Sequence, residues 1–158
     1  MINFFNLIFE NINDNIDVKL VTDINLNLKN KLKEFFDRFE AEEDVIMSKT
    51  YTPGRGATFE EMFNKWRRDG LIYILYDNSK EIGFCVVLPR RPDIDHISYI
   101  YIDPKYRGKG LGKLFLNYIF NNRGRKSFTL NCLVDNTNAF NMYKKLGFKM
   151  YSALMFKK

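Results

Sequence analysis

Residues 96–120 read HISYIYIDPKYRGKGLGKLFLNYIF. Positions 96–102 are mostly β-branched or aromatic, which suits a buried strand, and Asp103-Pro104 ends it because proline offers no ladder N–H. Tyr106-Arg107-Gly108-Lys109-Gly110-Leu111-Gly112 follows. Beyond it, apolar residues at 111, 114, 115, 118 and 119 keep the spacing of one helix face. The stretch is therefore a strand, a glycine-rich turn and a helix. A helix start leaves backbone N–H groups without intrahelical partners, and its partial positive charge is joined here by Arg107, Lys109 and Lys113. Glycines at 108, 110 and 112 are expected to reach positive φ and to let a ligand approach the backbone. The segment predicts a site for phosphate or pyrophosphate.

Two common phosphate motifs do not fit. A dinucleotide fingerprint needs a third glycine where Lys113 stands, and a P-loop needs Ser or Thr where Leu114 stands and glycine where Arg107 stands. Instead, Arg107, Gly110 and Gly112, between a strand and a helix, resemble the [QR]-x-x-G-x-[GA] acetyl-coenzyme A loop of the GNAT superfamily of N-acetyltransferases. Residues 128–148, FTLNCLVDNTNAFNMYKKLGF, are similar to the next element of that family, with Asn136, Ala139, Tyr143, Leu146, Gly147 and Phe148 in register.

The resemblance implies one domain over residues 1–158, best supported over 71–158. Its fold is α/β: a mixed, mainly antiparallel twisted sheet of six to seven strands flanked by about four helices. It implies acetyl-CoA as co-substrate, held by the backbone of Ile100, Tyr101 and Ile102 in a gap between the fourth and fifth strands. The loop Arg107, Gly108, Lys109, Gly110, Leu111, Gly112 and Lys113 would hold the pyrophosphate, and Asn136 would bond the coenzyme or cap its helix. The implied reaction is attack of a primary amine on the thioester through a tetrahedral intermediate. Tyr101 or Ile102 N–H would donate to the oxyanion and Tyr143 would protonate the thiolate. For the general base, the fifth-strand position used by ribosomal-protein acetyltransferases is Asn131, which takes no proton. The fourth strand offers Asp95 and the chain's one histidine, His96, whose ordinary pKa suits the task.

The rest of the chain agrees with a globular domain. At 158 residues and 46% hydrophobic it can bury a sizeable core. The opening INFFNLIFE has no basic residue before it and no cleavage site after it, so neither a signal peptide nor a membrane span is read, and a cytosolic protein is expected. Cys85 and Cys132 sit alone in strand-like segments, read as reduced thiols rather than a disulfide, metal site or nucleophile. Asn27–Glu43 reads as a helix with the stripe Leu28, Leu32, Phe35, Phe36 and Phe39. SKTYTPGRG at 48–56 reads as a loop, with Arg55 at a turn. Thr58 with Glu61 reads as a capping box opening a helix that carries Trp66 into the core and ends near Gly70. Leu71–Tyr76 and Ile82–Leu88 read as a hairpin across Asp77-Asn78-Ser79-Lys80. Pro89-Arg90-Arg91-Pro92 reads as a break, and Lys149–Lys158 as a hairpin or edge strand.

Residues 1–79 carry a net charge of −4 and residues 80–158 a net +10. Coenzyme phosphates account for part of this. The surplus at Arg123, Arg125, Lys126, Lys144, Lys145, Lys149, Lys157 and Lys158 reads as solvated surface, or as a footprint for an acidic protein or RNA. Three functions follow: an amine N-acetyltransferase, monomeric or homodimeric; a non-catalytic acyl-coenzyme A sensor; and an aminoacyl-tRNA acetyltransferase.

Overall fold

Asn25 accepts the Leu28 amide at 2.9 Å and opens helix α1 (Leu26–Met47). The expected stripe continues past Phe39 through Ile46 and Met47, which is why the helix runs beyond Glu43. Thr58 and Glu61 form the capping box of helix α2 (Phe59–Asp69), each bonding the other's backbone amide. The computed structural model describes residues 15–49, 56–153 and 155. The opening arm, most of the 48–56 loop with Arg55, and Lys157 and Lys158 lie outside them.

Strand β1 (Ile16–Val21) precedes α1, and strands β2 (Leu71–Asp77), β3 (Lys80–Arg91) and β4 (Ile94–Ile102) follow α2. A 3-10 turn (Pro104–Tyr106), helix α3 (Leu111–Arg123), strand β5 (Ser127–Leu130) and helix α4 (Thr137–Lys145) complete the order. The five strands lie in sequence order in one mixed sheet, β1 to β4 antiparallel and β5 parallel to β4. Asn78 and Ser79, both at positive φ, make the tight β2–β3 turn.

Five strands, not six or seven, are present among the described residues. Residues 149–153 form no strand, so the expected hairpin or edge strand is not seen there. The break expected at 89–92 is also displaced. β3 runs on to Arg91, because beyond Val87 it has no β2 partner and Pro89 needs no N–H on that side. β4 starts at Ile94, two residues earlier than read.

Both faces of β3 are covered, so it reads as a continuous apolar run. On one face α1 and α2 contribute Leu32, Phe35, Phe36, Phe63 and a fully buried Trp66, as expected, packed on Phe84, Tyr99 and Tyr101. Trp66 meets Tyr99 edge-on with centroids 5.1 Å apart. On the other face α3 packs Leu114, Phe115 and Ile119 against Cys85, Val87 and Ile97, with Tyr143 of α4 in the same cluster.

Candidate active site

β4 pairs with β5 from Ile94–Ser127 to Ile97–Leu130 and no further. β5 stops there, while β4 continues to Ile102. The backbone groups of β4 that point toward β5 beyond Ile97 therefore lack a strand partner, and such groups demand one. On the other edge of β4, Val87 pairs with Ile97 and Val86 with Tyr99, leaving Ser98 as an extra residue. This bulge changes the phase of the strand. After it, Tyr99 and Tyr101 belong to the α1–α2 core, and Ile100 and Ile102 to the α3–α4 core. Bulge and split coincide at Ser98.

The glycine-rich loop lies at the far end of the split. Gly108 and Gly110 have φ of +77° and +78°, with no heavy atom within 4 Å of where a Cβ would sit, so glycine is needed there for conformation rather than space. Gly110 caps α3 without a side-chain bond, leaving the first-turn amides of Leu111, Gly112 and Lys113 unpartnered within the helix. Gly112 differs from expectation. It is helical, and a Cβ there would sit 2.7 Å from Met142 Sδ, so its lack of a side chain lets α4 approach α3.

Arg107 also differs. Its Nε donates to Ile102 O at 2.7 Å, its two Nη groups donate to the Glu42 carboxylate at 2.9 Å each, and its guanidinium lies 5.2 Å from the Tyr101 ring centroid. It ties the loop to α1. Lys109 and exposed Lys113 remain as the loop's unpaired-with-acid cations among the described ion pairs.

On the α4 side, Tyr143 is 8% exposed, with its ring 5.9 Å from that of Phe148. Burial, then the neighbouring Cys132, Cys85 and Glu43, push its phenol well above the ordinary tyrosine range. It stays protonated at neutral pH. Asn136 accepts the Ala139 amide and caps α4. Cys132, expected in a strand, lies in the loop after β5. It is half-buried, and burial pushes its thiol up to about 11.

The two fourth-strand candidates for the base sit in the zipped part of the β4–β5 pair. Asp95 is fully buried; Arg123 donates to it at 2.6 Å from Nε, and Arg125 Nε is 3.4 Å away. It is a structural anion. His96 Nδ1 lies 2.9 Å from Thr129 Oγ1 of β5, and burial with Arg90 and Lys65 pulls its pKa down, so its ring is neutral near pH 7. Asn131 is exposed beside the split.

The last turns of α1 bring three glutamates that the motifs did not announce. Glu42 accepts from Arg107 of the loop at 2.9 Å, while Glu40 and Glu43 are half-buried, and burial raises both carboxyls above the ordinary glutamate range. Glu43 carried a signal in the sequence. It stands four after Phe39 and three before Ile46, an acid on the apolar stripe.

Residues 68–150, more than half of the chain, match the Acetyltransferase (GNAT) domain. The chain belongs to the GNAT acetyltransferase family. Two relatives are mycothiol acetyltransferase of Corynebacterium glutamicum and peptidyl-lysine N-acetyltransferase YjaB of Salmonella typhimurium. The first is 32% identical over 87 residues, covering 52% of this chain and 30% of that protein. The second is 27% identical over 95 residues, covering 60% and 61%. The chain thus spans less than two thirds of either. Among solved structures, a tetramutant of the BH1408 protein from Bacillus halodurans overlays with a TM-score of 0.71 at 14% identity, over 90% of this chain and 99% of that one. The aminoglycoside N-acetyltransferase AAC(6')-Iy in complex with CoA overlays at 0.63 and 12%, over 90% and 93%. At such identities these likenesses establish the GNAT fold. The family takes its acetyl group from acetyl-CoA. A β4 edge without a strand partner beyond Ile97, a bare glycine loop at a helix start and a buried phenol in the α3–α4 core are features that fit that coenzyme.

Proposed function

We propose that this domain moves the acetyl group of acetyl-CoA onto a primary amine of a small molecule or a protein by direct attack. The observation that carries the reading is the split of β4 from β5 after Ile97. It leaves backbone donors and acceptors for an extended amide-bearing chain, with the phosphate loop at one end and Tyr143 in the wall. In this reading Ile100 to Ile102 pair with the pantetheine arm. The Gly108–Lys113 amides, with Lys109 and Lys113, hold the pyrophosphate. Arg107 acts by fixing the loop to α1. As the C–N bond forms, the thioester oxygen takes up charge and is met by the N–H of Tyr101 or Ile102. As the C–S bond breaks, Tyr143 gives its proton to the sulfur. The amine's own proton goes to a base on the α1 side, with His96 the candidate that the strand supplies. That the acceptor is an amine is supported by the relatives, one of which acts on peptidyl-lysine.

Thermal unfolding with acetyl-CoA and with acetylated pantetheine tests this. At a hundredfold excess over its dissociation constant the full coenzyme adds about 2.7 kcal/mol, a shift of several degrees in a chain this long. Acetylated pantetheine, lacking the phosphates, is expected to add little. No shift with either ends the transferase reading.

A further inference from the structure

β1 is an edge of the sheet, with β2 on one side and no strand on the other among the described residues. Such an edge presents backbone donors and acceptors that can pair with another chain. The ladder decides which residues present them. Asn78 N donates to Asn15 O at 2.9 Å, and in an antiparallel pair the residues turned toward the partner alternate with those turned away. Asp17, Lys19 and Val21 therefore direct their N–H and C=O to β2, and Ile16, Val18 and Leu20 direct theirs outward.

The side chains alternate as well. Val18 is buried in the α3-side core with Ile16 packed against it, and Leu20, on that same face, is 44% exposed. Asp17 and Lys19 occupy the other face, 3.3 Å apart and both exposed. A strand added to this edge must set outward-directed residues opposite its own outward-directed residues. For β1 of a second copy, the registers that overlap most of the strand centre on Asp17, on Val18 or on Lys19. The first sets Asp17 opposite Asp17 and the third Lys19 opposite Lys19, and like charges directly opposite are destabilising. The register about Val18 sets Asp17 opposite Lys19, exposed Leu20 opposite Ile16, and Val18 opposite Val18 on the two-fold axis.

We infer that β1 is a homodimerisation edge, two copies pairing β1 with β1 antiparallel about Val18 so that their sheets become one. Ile16, Val18 and Leu20 of each copy both donate to and accept from the other. Leu20 gains an apolar neighbour, and each Lys19 lies between the Asp17 of its own chain and that of the second. The contact is isologous, so it closes at two copies. A lysine in the middle of an edge ordinarily guards it against pairing. Here Lys19 guards against strands that lack an acid opposite it and accepts a copy of its own, which is specificity by charge. The strand order puts this edge at the opposite end of the sheet from the β4–β5 split, so the inference stands apart from the transferase reading. A ladder of six residues is short, and the association is reversible and concentration-dependent.

Analytical ultracentrifugation of the full chain over a micromolar concentration series tests it. Wild type is expected to pass from monomer to dimer along the series. Leu20→Pro removes an outward N–H that β2 does not use, so it is expected to keep the fold and lose the dimer. Lys19→Asp sets acid opposite acid at both charge pairs and is expected to weaken the dimer at least tenfold. Asp17→Lys combined with Lys19→Asp restores opposite charges and is expected to bring the dimer back to within about threefold of wild type. Circular dichroism and the melting temperature of each variant show whether a lost dimer is a lost fold. A wild type that stays monomeric throughout, its edge bare or taken by residues 1–14 of the same chain, overturns the inference. So does a dimer that L20P and K19D leave unchanged, or a loss in K19D that the folded double variant does not recover.

Discussion

Tyr143 joins a buried position to a chemical demand. Its ring fills the core between α3, α4 and Phe148, and burial keeps its hydroxyl protonated. Removing only the hydroxyl leaves the packing intact. Tyr143→Phe is therefore expected to hold its melting temperature and acetyl-CoA affinity and to lower kcat about a hundredfold, the low end for a missing general acid. Turnover within a factor of two of wild type would make Tyr143 a core aromatic and no more. Gly112 teaches the complementary lesson. The motif reads its glycine as conformational freedom beside a ligand, whereas Gly112 is helical and its bareness leaves the space that the Met142 side chain fills. Positive φ and close packing both select glycine, and only the neighbour across space separates them.

At the scale of elements, the β4-loop-α3 segment was legible because its signals are local: a proline stop, glycines and a 3.6-residue apolar period. The α2 capping box and the β2–β3 turn were legible for the same reason. The α1 acids were not, since Arg107 and Glu42 are 65 residues apart and nothing in either neighbourhood announces the other. Their pair has consequences of its own. Both side chains are more than 40% exposed, so it contributes at most about 1 kcal/mol. It opens readily, and opening returns a cation to the glycine loop. Glu42→Gln is expected to leave the melting temperature within about 2 °C and to tighten acetyl-CoA binding a few-fold, with a steeper loss of affinity in salt. Calorimetry at low and high salt checks this. Weaker binding would instead mean that the pair orders the loop for the coenzyme.

Across the whole molecule, the β4–β5 pair is zipped at one end and parted at the other, and the two ends answer to different physics. At the parted end, backbone without a strand partner and glycines held at positive φ both cost stability. At the zipped end, Asp95 draws Arg123 at the end of α3 and Arg125 of the following loop onto β4, and Arg125 also donates to Pro92 O. Two cations of the basic half are thus turned inward onto a buried acid, and the surplus offered for RNA shrinks accordingly. Asp95→Asn leaves both guanidiniums short of a counter-charge. Breaking a buried pair costs about 3–5 kcal/mol, but the arginine side chains are 19% and 30% exposed and water recovers part of it, so a loss of about 2 kcal/mol is expected. The melting temperature should fall by roughly 4–8 °C, while the stabilisation added by saturating acetyl-CoA stays as in wild type, because the split begins beyond Ile97. If D95N melts with wild type but no longer responds to acetyl-CoA, the zipped end is part of the coenzyme site and the division of labour between the two ends is wrong.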